Sequence, residues 1–135
     1  MAATFSPIIL GTATVTINAV AYSTQISAVV FTPTSATTTW TAIDGTTFTI
    51  NQAATWVCEI TFAQDWNTPT GSLSRYLHGA EGTSVTAIFK PIGAETETVT
   101  ATITITPGAI GGDTTAVAEA TVTCGSTKPV LSAAA

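Results

Sequence analysis

The residues whose types could support chemistry are few and scattered. His78 is the single histidine of the chain. A catalytic imidazole needs a nucleophile, an acid or an orienting partner, and no motif nominates one. One histidine and no CxxC spacing leave a zinc ion short of ligands. Cys58 alternates in phase with Trp56, Ile60 and Phe62, and Cys124 with Ala118, Ala120 and Val122. Both are expected as small buried thiols, with a disulfide as the alternative. Glu95 and Glu97 share one face if Glu95 belongs to a strand. Two carboxylates can serve acid–base chemistry, but a solvated strand edge that discourages aggregation is the simpler use. Gly111-Gly112-Asp113 matches part of a calcium-binding turn, yet no repeat follows it, so it reads as a loop. P-loop, GxGxxG and GxSxG patterns are absent from the sequence. No cofactor, no metal and no enzymatic activity are expected.

The composition points elsewhere. Charged residues make up 8 % of 135 residues, and threonine about a quarter. An ordinary soluble domain carries roughly a quarter charged residues. Threonine is β-branched, so it favours strands and gives a neutral, hydroxyl-bearing surface. A surface so poor in charge suits burial against neighbours, because interface cores are depleted in charge. The net charge is −5, and the cations are Arg75, Lys90 and Lys128. Three separated cations cannot neutralise enough phosphates for tight nucleic-acid binding. The first charged residue is Asp44. No run of 18 apolar residues exists, and Thr12, Thr14, Thr16 and Asn18 alternate with Ala13, Val15, Ile17 and Ala19, so no membrane association is expected. The first residues lack a basic region and do not read as a secretory signal.

The elements follow from periodicity. Two-residue alternation predicts strands over about 11–18, 22–31, 53–64, 83–90, 97–106 and 116–124. In the second, Tyr22, Ile26, Ala28 and Val30 are expected on one face, with Ser23, Gln25 and Ser27 on the other. Asn18-Ala19-Val20-Ala21 is a hairpin link with a weak turn signal. One helix is predicted over Ser72–Ala80, where Leu73, Tyr76, Leu77 and Ala80 form an apolar stripe that must pack on the sheets. Thr70 or Ser72 can cap its start, and Gly79 or Gly82 can end it. Thr32 to Thr47 holds Pro33, Trp40, Ile43 and the tight-turn pair Asp44-Gly45. It is either a long hairpin with its tip near Asp44 or a long inter-strand loop that returns to the sheet. A tryptophan on such a segment implies cover. The expected fold class is all-β: a β-sandwich or barrel of about seven strands with one short α-helix. Residues 1–125 would form one domain with an N-terminal arm, and 126–135 an extended C-terminal arm or a disordered one.

The run from Gly71 through Tyr76, Gly79 and Gly82 to Pro91 resembles the helix–glycine–strand block of phage major tail proteins. Ile60 to Trp66 is similar to the strand that enters that helix, and Ile103 to Gly112 to the strand and turn of short versions from phages of actinobacteria. The resemblance covers most of the chain. It implies the tail tube fold of a long-tailed, siphovirus-type phage: a virion protein, assembled in the host cytoplasm, whose copies form hexameric rings that stack into a hollow tube. The partners implied are the chain itself, other tail proteins, and DNA that passes through the lumen during ejection without specific binding. A long loop contacts the next ring in that family, which points to Pro33, Trp40, Ile43 and Asp44. Of Glu59 and Glu119, each among threonines on a polar strand face, at least one is expected to line the lumen, where acidic walls repel phosphate; the alternative is that both face solvent outside. Leu73, Tyr76 and Leu77 would pack the helix.

Two other classes fit the same composition. A capsid decoration protein would clasp a shell without stacking on itself. An Ig-like adhesion or binding module is disfavoured by Trp66, which follows Cys58 too closely for the usual core tryptophan.

Overall fold

The computed structural model describes residues 7–8, 13–91 and 97–132. Ten strands and one helix occur among them: β1 (Thr14–Ile17), β2 (Val20–Ala21), β3 (Ile26–Thr34), β4 (Thr37–Thr41), β5 (Thr47–Asn51), β6 (Thr55–Ala63), α1 (Leu73–Gly79), β7 (Ser84–Lys90), β8 (Thr98–Thr104), β9 (Glu119–Ser126) and β10 (Val130–Ser132). The fold is all-β, sandwich-like, with the one short helix. Eight strands form an antiparallel sheet in the order β2-β1-β7-β8-β9-β6-β3, with β10 on β8. β4 and β5 form a separate two-stranded sheet.

The large sheet curls until its ends share one core. Val15 and Ile17 of β1 are buried in the same cluster as Val29 of β3, although these strands lie toward opposite ends of the order. The Val15 backbone N–H donates to the Ser23 hydroxyl at 2.9 Å, which extends the β1–β2 hairpin toward β3. β6 supplies the centre: Cys58, Ile60 and Phe62 are all about 1 % exposed and lie opposite Cys124, Val122 and Ala120 of β9. The Cys58 and Cys124 thiols are free and buried. Burial, and then the neighbouring Cys124, pushes the Cys58 thiol up to about 12. Burial also raises Cys124, against hydrogen bonds from Thr106 that pull it down.

Leu73 and Leu77 seat α1 in this core, and Tyr76 stacks on Tyr22 with ring centroids 6.0 Å apart. Ser72 occupies the N-cap position without capping. Its hydroxyl donates to the Asp65 carbonyl instead. Gln25 takes over: its Oε1 accepts from Leu73 N–H at 2.8 Å, and its Nε2 donates to the Gly71 carbonyl at 2.6 Å. Ala80 follows the helix as C-cap, and Gly82, not Gly79, adopts the left-handed conformation (φ 83°).

One expectation changes, and two open readings resolve. In β3, the pairing register shifts between Ile26 and Ala28. A bulge adds one residue, so the faces exchange beyond it: Val29 is buried and Val30 is exposed. Of the two readings for Thr32 to Thr47, the structure shows the hairpin with its tip near Asp44. The C-terminal segment contributes Ser126, the last residue of β9, and all of β10, which pairs Val130 with Thr100. Its final Ala133 to Ala135 lie outside the described residues, as do Glu95, most of the N-terminal arm and the start of the first expected strand.

Candidate assembly surface

The hairpin made by β4 and β5 continues the β3–β6 hairpin outward. Thr34 pairs with Thr55 and Thr37 with Asn51, so three residues advance on one side against four on the other. That extra residue bends the ladder and detaches the arm as its own sheet. At the tip, Gly45 takes φ 91° and its N–H reaches the Ala42 carbonyl at 3.0 Å. Asp44 Oδ1 accepts the Thr46 N–H at 2.9 Å, which holds the carboxyl below the usual carboxylate range.

Alternation sorts the arm into two faces. Thr38, Trp40, Phe48 and Ile50 share one, since Thr38 pairs with Ile50 and Trp40 with Phe48. Thr37, Thr39, Thr41, Thr47, Thr49 and Asn51 share the other. The rings of Trp40 and Phe48 meet at 5.7 Å between centroids, yet Trp40, Phe48 and Ile50 remain 58, 52 and 57 % exposed. Ile43, at the tip, is fully exposed. A two-stranded ribbon is at best marginal in water unless a third strand or another layer covers its apolar face. No such layer packs on this face among the described residues.

The residues singled out by sequence therefore separate. Trp40 lies on the apolar face, and Ile43 and Asp44 form the tip. Pro33 is at the base, in β3, opposite Trp56. Phe48 and Ile50 belong to the surface and were not singled out, although Thr47–Asn51 has the two-residue alternation that marks them.

Glu59 and Glu119 share a second surface, the outer face of β3, β6 and β9. Glu59 pairs with Thr123, and Glu119 with Ala63. Thr61 and Thr121 link hydroxyls between them at 3.0 Å. Both glutamates are exposed, and these three strands carry no Lys or Arg. Elsewhere, His78 is exposed at the end of α1, edge-on to Trp66 with centroids 6.4 Å apart. Among the described residues no group of three His, Cys, Asp or Glu side chains could hold a metal ion. No helix among them is long and apolar enough to cross a membrane.

No family model matches the chain, and no curated protein matches it. Among solved structures, the chain is similar to one in the cryo-electron microscopy structure of an extracellular contractile injection system, the PVC sheath/tube terminator in the extended state. The TM-score is 0.64 at 13 % identity, over 97 % of this chain and 100 % of that one. At that identity the likeness establishes a shared fold across the whole length.

Proposed function

We propose that this chain is a structural subunit of a phage tail, the tail tube protein itself. Its copies close into hexameric rings that stack into a tube, and the tube is the conduit for DNA ejection. The observation that carries this reading is the apolar face of the arm, where Trp40, Phe48 and Ile50 are built into an ordered hairpin and left uncovered. An uncovered apolar hairpin is explained by a neighbouring subunit that covers it. The fold likeness to a chain of a sheath/tube terminator supports the same reading. So does the outer face of β3, β6 and β9, where Glu59 and Glu119 stand among threonines without a cation. Facing a lumen, such a wall repels phosphate and lets DNA slide. The role is mechanical, with no catalysis of its own, in a virion component assembled in the host cytoplasm.

The test is negative-stain electron microscopy with light scattering on the purified chain and on Trp40→Ala. The wild type forms rings or hollow tubes. A buried interface tryptophan contributes about 2 kcal/mol or more, so Trp40→Ala raises the critical concentration at least about 30-fold. Its urea midpoint stays that of the wild-type protomer, because the Trp40 ring packs on Phe48 within the arm and not in the described core. Normal tubes from Trp40→Ala, or a monomeric wild type at every concentration, overturn the proposal. A monomer would favour a capsid decoration or adhesion module.

A further inference from the structure

The arm and α1 stand at opposite ends of the body. β6 joins them: the arm enters at Thr55, and Ala63 leads through Gln64 and Asp65 to Trp66. Nine residues of strand span about 30 Å. At the α1 end, Trp66, Arg75, His78, Gly79 and Ile110 line an open cleft of about 280 Å³.

The cleft is pre-built by Gln64. Its Oε1 accepts from Trp66 Nε1 at 3.0 Å and from Gly111 N–H at 2.9 Å. Its Nε2 donates to the carbonyls of Gly111 at 2.9 Å and Glu119 at 3.1 Å. One amide thus fixes the tryptophan on one wall and the loop carrying Ile110 on the other, and Ile110 is left 66 % exposed. Arg75 gives one N–H to the Trp66 carbonyl at 2.7 Å and keeps its remaining donors. The neighbouring Asp65 carboxylate lies within electrostatic reach of Arg75 but spends its hydrogen bonds locally, with Oδ1 accepting from the Asn67 and Thr68 N–H groups and Oδ2 from the Thr68 hydroxyl. The result is an apolar slot with a cation at its rim.

The arm tip has the complementary chemistry. Ile43 is an exposed aliphatic knob, and the adjacent Asp44 carboxylate is exposed at the tip, held by Thr46 and carrying an unburied negative charge. We infer that the cleft formed by Trp66, Arg75, His78 and Ile110 is the socket for the arm tip of a second copy, Ile43 entering the slot and Asp44 pairing with Arg75. This inference rests on the self-assembly reading and names the surface that receives the arm. Knob and socket at opposite ends of β6 make the contact head-to-tail, which propagates as an open stack instead of closing as a dimer.

Charge reversal tests it in the full chain. Arg75→Glu sets two carboxylates face to face and raises the critical concentration for tubes at least about tenfold, and Asp44→Arg does the same with two cations. The double variant Asp44→Arg/Arg75→Glu restores opposite charges and returns to within about threefold of wild type. Wild-type tubes with an unaffected Arg75→Glu, or no rescue in the double variant, overturn the socket and leave self-assembly standing. If the wild type does not assemble, the assembly reading fails, and a cross-link judges the socket alone. Separately purified Ile43→Cys and Gly79→Cys chains are mixed with diamide as the two-electron oxidant, which takes both thiol hydrogens to become its hydrazine as the disulfide forms. The native thiols are buried, so the introduced ones react. A disulfide-linked mixed dimer supports the socket, and its absence overturns it.

Discussion

The body and the arm use one sequence pattern with opposite outcomes. In β6, every second residue from Cys58 to Phe62 is apolar, and that face is sealed by β9, by the curled sheet and by α1. In β4 and β5, Trp40, Phe48 and Ile50 alternate with threonines in the same way, and no layer covers that face among the described residues. Alternation reports that a strand has a dry side. Whether the same chain keeps it dry depends on the next layer, and the arm's bend at Thr34–Thr37 carries it beyond the body's reach. The body therefore holds the stability of the protomer, and under the proposed function the arm supplies the surface for assembly.

Truncating the body's most central aromatic is the largest disruption of this division. Phe62 is 1 % exposed, and its ring lies so close to Gly108 that a Cβ there would meet it at 2.9 Å. Phe62→Ala should cost about 3–5 kcal/mol of folding stability, a large part of the total for a domain of this size. Urea unfolding of the unassembled protein checks the value, and assembly should fall only as far as the folded fraction does. A loss of tubes with an unchanged urea midpoint would erase the distinction between the two regions.

What was legible in the sequence follows the same line. β6 and the helix stripe of Leu73 and Leu77 were readable because each buried face is continuous and apolar. β3 was readable as a strand but not in phase, since the bulge at Ile26–Ala28 inserts one residue without a glycine or proline to announce it. Asn18-Ala19 gave a weak turn signal because both residues take positive φ (51° and 66°) where glycine is the usual choice for the second. The helix start was legible, with Ser72 at the N-cap position, but the acceptor of the Leu73 N–H was not: Gln25 is 48 positions away and reaches it only through the fold. On the arm, Trp40 and Asp44-Gly45 carried the signal, while Phe48 and Ile50 emerge as partners only once the register is known. β10 spans three residues, too few for a period to show.

The thiols probe how dry the body is, with a smaller effect. Cys58 is raised from 9.0 to about 12, so its folded form stays neutral where an unfolded chain already ionises. The associated stability is complete below pH 9 and is lost as pH rises from there toward about 12. The loss should reach at most about 1.4 kcal/mol per pH unit for each thiol. Urea midpoints between pH 8 and 11, compared with Cys58→Ala/Cys124→Ala, isolate this slope from other alkaline groups. Equal slopes in the two proteins would mean that the pair is hydrated.

The smallest effect is expected on the arm's polar face, and it decides which side of the arm is covered. Thr39 and Thr49 pair directly, opposite in facing to Trp40 and Phe48. Thr39→Val/Thr49→Val preserves shape and β-branching while removing two hydroxyls. If only the aromatic face is buried in the assembly, surface substitutions of this kind shift the free energy by less than about 0.5 kcal/mol, and the critical concentration should change by no more than about twofold. Light scattering against protein concentration reads this directly. A much larger change in either direction would place the threonine face against a neighbour as well, and the arm would then be a strand pair sandwiched between two subunits instead of one lying on a single surface.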